Sequence, residues 1–155
     1  ALPFPDASLA AVTCAQALHW FDRPTFYSEV RRTLVTDGLL AVVDNNRDWR
    51  EDPWMDAYES LLERLSRGSY SRHYRSLDHP AELADGGFSK VREGRFPWRR
   101  AMSLEDYLGL CLSSTKVQAV AAVVGTDRLV EEIRRLTAGD AVVIPYTTVV
   151  YLANR

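Results

Sequence analysis

The chain has 155 residues, 46% of them hydrophobic and 26% charged, with four Trp and seven Tyr. That size accommodates one domain with a buried core, and the composition excludes a disordered chain. A net charge of -2, with scattered basic residues that are almost all Arg, gives no electrostatic case for nucleic acid or a membrane surface. Cys14 and Cys111 each sit in an apolar segment and read as buried free thiols of a reducing compartment. The two do not suggest a disulfide framework or a zinc site. His19, His73 and His79 lack metal-ligand spacing, so no metal is expected. No apolar run approaches the roughly 20 residues that span a bilayer, and no signal peptide opens the chain. The reading is a cytoplasmic protein with no membrane or nucleic-acid partner.

The opening Leu2-Pro3-Phe4-Pro5-Asp6 reads as the middle of a domain rather than its start. Residues 9–15 (LAAVTCA) form a short apolar run, expected as a strand buried on both faces. Asp22 makes a good N-cap, Pro24 suits the first helical turn, and Phe21 and Phe26 stand at hydrophobic-staple positions. The helix is expected to run to about Leu34, with Phe26, Tyr27, Val30 and Leu34 on one face and Asp37-Gly38 stopping it. Residues 39–43 (LLAVV) then give a second buried strand. Strand, helix and strand with short connections make a βαβ unit, a parallel pair joined right-handed.

Pro53 to about Arg67 shows amphipathic spacing in Trp54, Tyr58, Leu61, Leu62 and Leu65. Residues 68–77 (GSYSRHYRSL) are too irregular for an element. A short helix is expected over 79–84 and a strand over 88–99. Ser103 with Asp106 resembles a capping box for a helix carrying Leu104, Tyr107, Leu108 and Cys111. Another helix spans about 127–136, ended by Gly139. In the final strand, 141–152, Pro145 argues for a bulge or an edge.

The segment ALPFPDASLAAVTCAQALHWFDRPTFYSEVRRTLVTDGLLAVVD resembles the second half of class I S-adenosylmethionine-dependent methyltransferases of the UbiE/trans-aconitate methyltransferase-like group. The matching elements are LPFPD, a strand ending in AQALHWFD, a helix with EVRRTL, and DGLLAVVD. FPWRRAMSLEDYLGL and VIPYTTVVYLANR resemble that group's last segments, so the resemblance covers nearly the whole chain. It implies an α/β fold, the C-terminal half of a Rossmann-like seven-stranded sheet ordered 3-2-1-4-5-7-6. This chain would supply strands 4-5-7-6, the last in sequence antiparallel, with flanking helices. The domain plan it implies is a βαβ core with the cofactor-crevice wall in 1–50, a variable substrate lid in 51–87, and C-terminal strands and helices in 88–155. The family's glycine-rich cofactor loop has no counterpart here. Gly86-Gly87 follows a polar helix and precedes a strand, which is the wrong context.

By the same resemblance S-adenosylmethionine is the cofactor. Ala15, Gln16 and Trp20 lie against it, and Ala1 and Leu2 border the adenine. His19 sits near the methyl-transfer region, as a general base or as a hydrogen-bonded corner residue. Trp20 reads equally as core or site. Tyr70, Arg72, Tyr74 and Arg75 fall in the lid, where the arginines can fork onto a carboxylate and the tyrosines can wall a pocket. The other reading there is a solvated loop over two packed aromatics. Asp44 and Asn45 end the second strand at the same edge, and Arg31, Arg32, Arg134 and Arg135 read as surface. The first functional reading is methyl transfer to a small-molecule acceptor, a carboxylic acid, with this chain as part of the enzyme. The alternative is a non-catalytic module whose exposed strand edge pairs in a homodimer or takes an N-terminal complementing segment.

Overall fold

The computed structural model describes residues 1–72 and 78–155. Aspartates and prolines set the helix starts. Asp22 accepts from the Thr25 amide at 3.0 Å and opens α1, Arg23–Thr33; Asp52 does the same for Met55 ahead of α2, Pro53–Leu65. Asp78 accepts from Ala81 at 3.1 Å ahead of α3, His79–Asp85. Each has Pro at the first or second helical position, where a missing amide hydrogen costs nothing. The expected staple is present: the Phe21 and Phe26 rings stack at 4.9 Å. Ser103 accepts from the Asp106 amide and donates to its carboxylate, closing the box that opens α4, Leu104–Leu112. Helix α6, Thr126–Leu136, starts one residue before its expected position. Between them the residues 115–124 form α5, Thr115–Val124, which the sequence reading did not anticipate. Its Val and Ala residues run nearly all round the helix, so no single apolar stripe stands out in the sequence, although only Val117 and Val120 are buried.

Four strands, β1 (Leu9–Ala15), β2 (Leu34–Arg47), β3 (Ser89–Ser103) and β4 (Ala141–Asn154), form one sheet in the order β1-β2-β4-β3. This is the expected order 4-5-7-6. β1 and β2 are parallel, with Ala11 to Ala15 opposite Leu39 to Val43. The β4 direction follows from its partners. Gly38 O accepts from Arg155 N, the Thr148 hydroxyl donates to Asn45 Oδ1, and Pro145 O accepts from Asp48 N. Partners fall along β4 as they rise along β2, so β4 runs antiparallel.

Several boundaries differ from expectation for identifiable reasons. β1 is not buried on both faces: only Cys14 is buried, because the strand lies at the edge of this sheet. Asp37-Gly38 does not stop α1. The helix ends at Thr33, and the pair instead makes an irregularity inside β2, where Leu9 faces Leu34 but Ala11 faces Leu39. Asp37 takes φ 57°, and a Cβ on Gly38 would lie 2.8 Å from Val35 O, so the doubled-back chain excludes a side chain there. Pro145 is not on an edge strand, since β4 lies between β2 and β3. β3 is the other edge. It is almost wholly exposed and carries Lys90, Arg92, Arg95, Arg99 and Arg100, charges that discourage edge-to-edge pairing.

Two compact units divide the chain. The α/β unit comprises Ala1–Asn46, Leu77–Phe96 and Thr147–Arg155; its core includes Cys14, Leu18, Tyr27, Val30, Leu40, Val42, Leu83 and Ala153. The helical unit comprises Arg47–Ser76 and Pro97–Tyr146, with α2, α4, α5 and α6 around Met55, Tyr58, Leu62, Tyr107, Leu129 and Ile133. Both cysteines are free and buried, as expected. Among the described residues no single helix is long and apolar enough to cross a membrane.

Candidate functional site

Where the pairing of two parallel strands stops, the chain turns away and leaves a crevice at the carboxyl edge. Here that edge is the pair Ala15 and Val43. Gln16 makes the turn with φ 51°, an unusual conformation for a residue with a side chain. Two bonds hold it: its amide donates to Val43 O at 2.9 Å, and its Nε2 donates to Asn45 O at 3.0 Å. Gln16 therefore bridges the ends of β1 and β2.

A single 3-10 turn, Leu18–Trp20, follows. Leu18 is buried and anchors it, which drives the next two side chains outward. Trp20 is 72% exposed, so the core reading of this residue falls. His19 is exposed and its ring lies 4.9 Å from the indole. An exposed Trp loses favourable burial and stands out on a surface as an unfilled contact. Ala15 is also exposed, and its small side chain leaves the strand end open to close approach.

The Leu2 amide donates to Glu29 at 2.7 Å, and Leu2 is partly buried against the core of this unit, whereas Ala1 is exposed. Arg32 ties the same segment down, through the carbonyls of Leu2 and Phe4 and the carboxylates of Asp6 and Glu29. Arg32 is thus a clamp and not the free surface residue expected. Its guanidinium and the Leu2 amide hold the Glu29 carboxyl down at about 2.

The structure also assembles a pair that sequence reading missed. Asp44 Oδ2 lies 3.0 Å from His79 Nε2, with His79 buried and its ring 4.9 Å from Tyr151. His79 Nδ1 has no hydrogen-bond partner among the described residues. Asp44 was expected at the carboxyl edge, but nothing in the sequence ties it to a histidine beyond the irregular segment. Only the placement of α3 beside β2 joins them.

Of the lid candidates, the described Tyr70 and Arg72 depart from the pocket reading. Tyr70 is buried in the helical unit and its hydroxyl donates to Glu59. Arg72 donates through Nε to Glu63 at 3.0 Å, through Nη1 to Asp56 and through Nη2 to Ser60, and lies 4.7 Å from the Trp49 ring. With all three nitrogens engaged by α2, Arg72 is a structural tie and not an open fork for a carboxylate. Buried Tyr70 accords with the second reading of this segment, an aromatic packed beneath a loop. Tyr74 and Arg75, with His73, lie outside the described residues.

Burial shapes the remaining titratable groups. Desolvation pushes the Tyr27 phenol up to about 12, with the Glu82 carboxylate adding to the effect. Desolvation also raises both thiols, Cys14 and Cys111. In the helical unit the Tyr58 hydroxyl donates to Cys111 Sγ at 3.1 Å, and Trp54, Tyr58 and Tyr107 meet at ring distances of 5.2 to 5.9 Å. Among the described residues no group of three His, Cys, Asp or Glu could hold a metal ion.

A Rossmann-like sheet with the order β1-β2-β4-β3 and an open carboxyl edge defines the class: this is the C-terminal half of a class I methyltransferase fold. Comparison with solved structures agrees. A candidate type II methyltransferase from Anaeromyxobacter dehalogenans superposes with a TM-score of 0.67 at 22% identity, covering 97% of this chain and 66% of that one. YcgJ from Bacillus subtilis superposes with a TM-score of 0.53 at 20% identity, over 100% of this chain and 67% of that one.

Sequence kinship points the same way, and the chain's resemblance to class I methyltransferases stands. Residues 1–42 match a family model described as a methyltransferase domain. An uncharacterized methyltransferase of Schizosaccharomyces pombe is 28% identical over 162 residues, 100% of this chain and 62% of the relative. A second S. pombe protein, described as methyltransferase-like, is 36% identical over 107 residues, 68% of this chain and 40% of that protein. The chain spans about three fifths of the length of the curated relatives that it matches end to end, 62% and 61% for two of them.

Proposed function

We propose that this chain is the C-terminal portion of an S-adenosylmethionine-dependent methyltransferase acting on a small molecule. The observation that carries the reading is the carboxyl edge of β1 and β2, where Gln16 bridges the strand ends and Trp20 stands 72% exposed beside His19. The residues fit the cofactor: Ala15 leaves room for close approach, Gln16 fixes the turn, and the Trp20 indole offers a flat apolar face. Ala1 and Leu2, the latter held by Glu29, would border the adenine. The chain supplies one wall of the crevice and no glycine-rich loop.

When bound, S-adenosylmethionine supplies an electrophilic methyl group, whose bond to sulfur breaks as the acceptor bonds to carbon. What this chain's residues contribute is position, which suffices for an acceptor that is already nucleophilic. For an acceptor bearing a proton, exposed His19 is the base within the same turn. We assign a small carboxylic acid as the acceptor class. Arg72 is committed to α2, so within the lid we assign the acceptor carboxylate to the second arginine of that segment by sequence, Arg75. The partition into crevice wall (1–50), lid (51–87) and C-terminal strands (88–155) belongs to the same proposal. So does a further strand completing the β1 edge, from a second copy of the chain or from a complementing N-terminal segment.

Calorimetric titration of S-adenosylmethionine into the protein and its Trp20→Ala variant, with solution mass measured alongside, tests the reading. Binding that Trp20→Ala weakens by about tenfold or more, with the fold intact, supports the crevice. Binding unaffected by the substitution would place the cofactor elsewhere.

A further inference from the structure

The three arginines of α1 have very different surroundings. Arg23 pairs with Glu82 at 3.3 Å, and Arg32 is enclosed by Glu29 and Asp6. Arg31 is exposed and makes no ion pair among the described residues. It faces an open cleft of about 390 Å³, lined also by Tyr27, Ser28, Asp85, Gly86 and Arg155. We propose that this cleft is a binding site for a small molecule carrying an oxyanion, a phosphate or a carboxylate, gripped by Arg31 and Arg155.

The Arg155 guanidinium is placed before any ligand arrives, and that of Arg31 rests against a bare glycine. The Arg31 head packs against Gly87: a Cβ there would sit 2.5 Å from Nη1 and 2.8 Å from Cζ. Gly87 takes φ 82°, so the Gly86-Gly87 pair both turns the chain after α3 and leaves the platform bare. Gly86 serves the neighbouring contact, since a Cβ would lie 3.0 Å from the Tyr27 ring. Arg155 is fixed by its Nη1 donating to Leu34 O and its amide donating to Gly38 O. Held cations lose little freedom on binding, and a guanidinium presents paired donors that match an oxyanion. The Ser28 hydroxyl lines the same wall and can add a donor. Asp85, also in the lining, can accept from a hydroxyl or amine where a ligand carries one, without being needed for the oxyanion grip.

The cleft is separate from the carboxyl-edge crevice. Arg155 is anchored at Leu34 and Gly38, near the start of β2, whereas the crevice forms at the Val43 end. Its occupancy does not depend on the cofactor reading, and the test is run without cofactor. Inorganic phosphate and succinate are titrated at low ionic strength into the protein, followed by backbone amide NMR shifts. The expected result is saturable binding of one or both, with shifts at Ser28, Arg31 and Gly87. Which of the two binds names the oxyanion. Arg31→Gln should weaken it about tenfold or more, Arg31→Lys should fall between, and Arg128→Gln, on the helical unit, should leave it unchanged. Arg31 is exposed, so its variants should keep the wild-type amide spectrum elsewhere. No saturable binding up to about 10 mM, or binding that survives both Arg31→Gln and Arg155→Gln, overturns the proposal.

Discussion

In the α/β unit, aromatic side chains after β1 face outward, Trp20 at 72% and Phe21 at 45% exposure, while in the helical unit Tyr58 and Tyr107 are fully buried. Charged groups differ in the same way. Arg47 lies 3.9 Å from buried Glu59, and Arg72 is enclosed by Glu63, Asp56 and Ser60, whereas Arg31 and His19 in the α/β unit are left open. The contrast teaches that aromatic and arginine content does not itself mark a binding site. Helices wrapped around their own polar groups consume them, while the turn after β1 and the outer face of α1 leave them available.

The sharpest way to break this comparison is to empty the helical core. Tyr107→Ala should destabilise that unit by about 3–5 kcal/mol, read by urea denaturation. A loss under about 1 kcal/mol would mean that the aromatic cluster is not a packed core. Next in size is Arg72→Ala, expected to cost about 1–2 kcal/mol, since it removes the hydrogen bonds that Arg72 donates to Glu63, Asp56 and Ser60. Unchanged stability combined with weakened acceptor binding would return Arg72 to the substrate. Trp20→Ala should do the reverse, leaving stability within about 0.5 kcal/mol while cofactor affinity falls. A large stability loss there would make Trp20 a packing residue after all.

The smallest effect concerns pH. Glu29 is held at about 2, down from an ordinary 4.5, by Arg32 and the Leu2 amide. Its contribution to holding the first residues is therefore complete above about 4.5 and is lost as pH falls through 2. Carboxyl NMR titration of Glu29 should give a midpoint near the lower value, with the Leu2 amide losing exchange protection only below about pH 3. A midpoint at 4.5 would show that the clamp is loose.

What the sequence determined by itself is the order of elements and the starts of most helices. These rest on local chemistry: Asp22, Asp52, Asp78 and Ser103 accept from amides only three residues on. The β1 span was legible for the same reason, and the turn at Gln16 and Trp20 was legible through its resemblance to a known family. Helix α5 escaped because its apolar positions nearly encircle it, and the Asp37-Gly38 irregularity escaped because a turn pair reads alike inside and outside a strand. Only the tertiary structure decided which charges are spent. Arg72 meets α2, Arg32 meets the opening segment, and His79 meets Asp44 through contacts between elements that local sequence does not specify. The bare Gly87 under Arg31 belongs to the same set: the sequence shows a glycine pair, and the fold shows what rests on it.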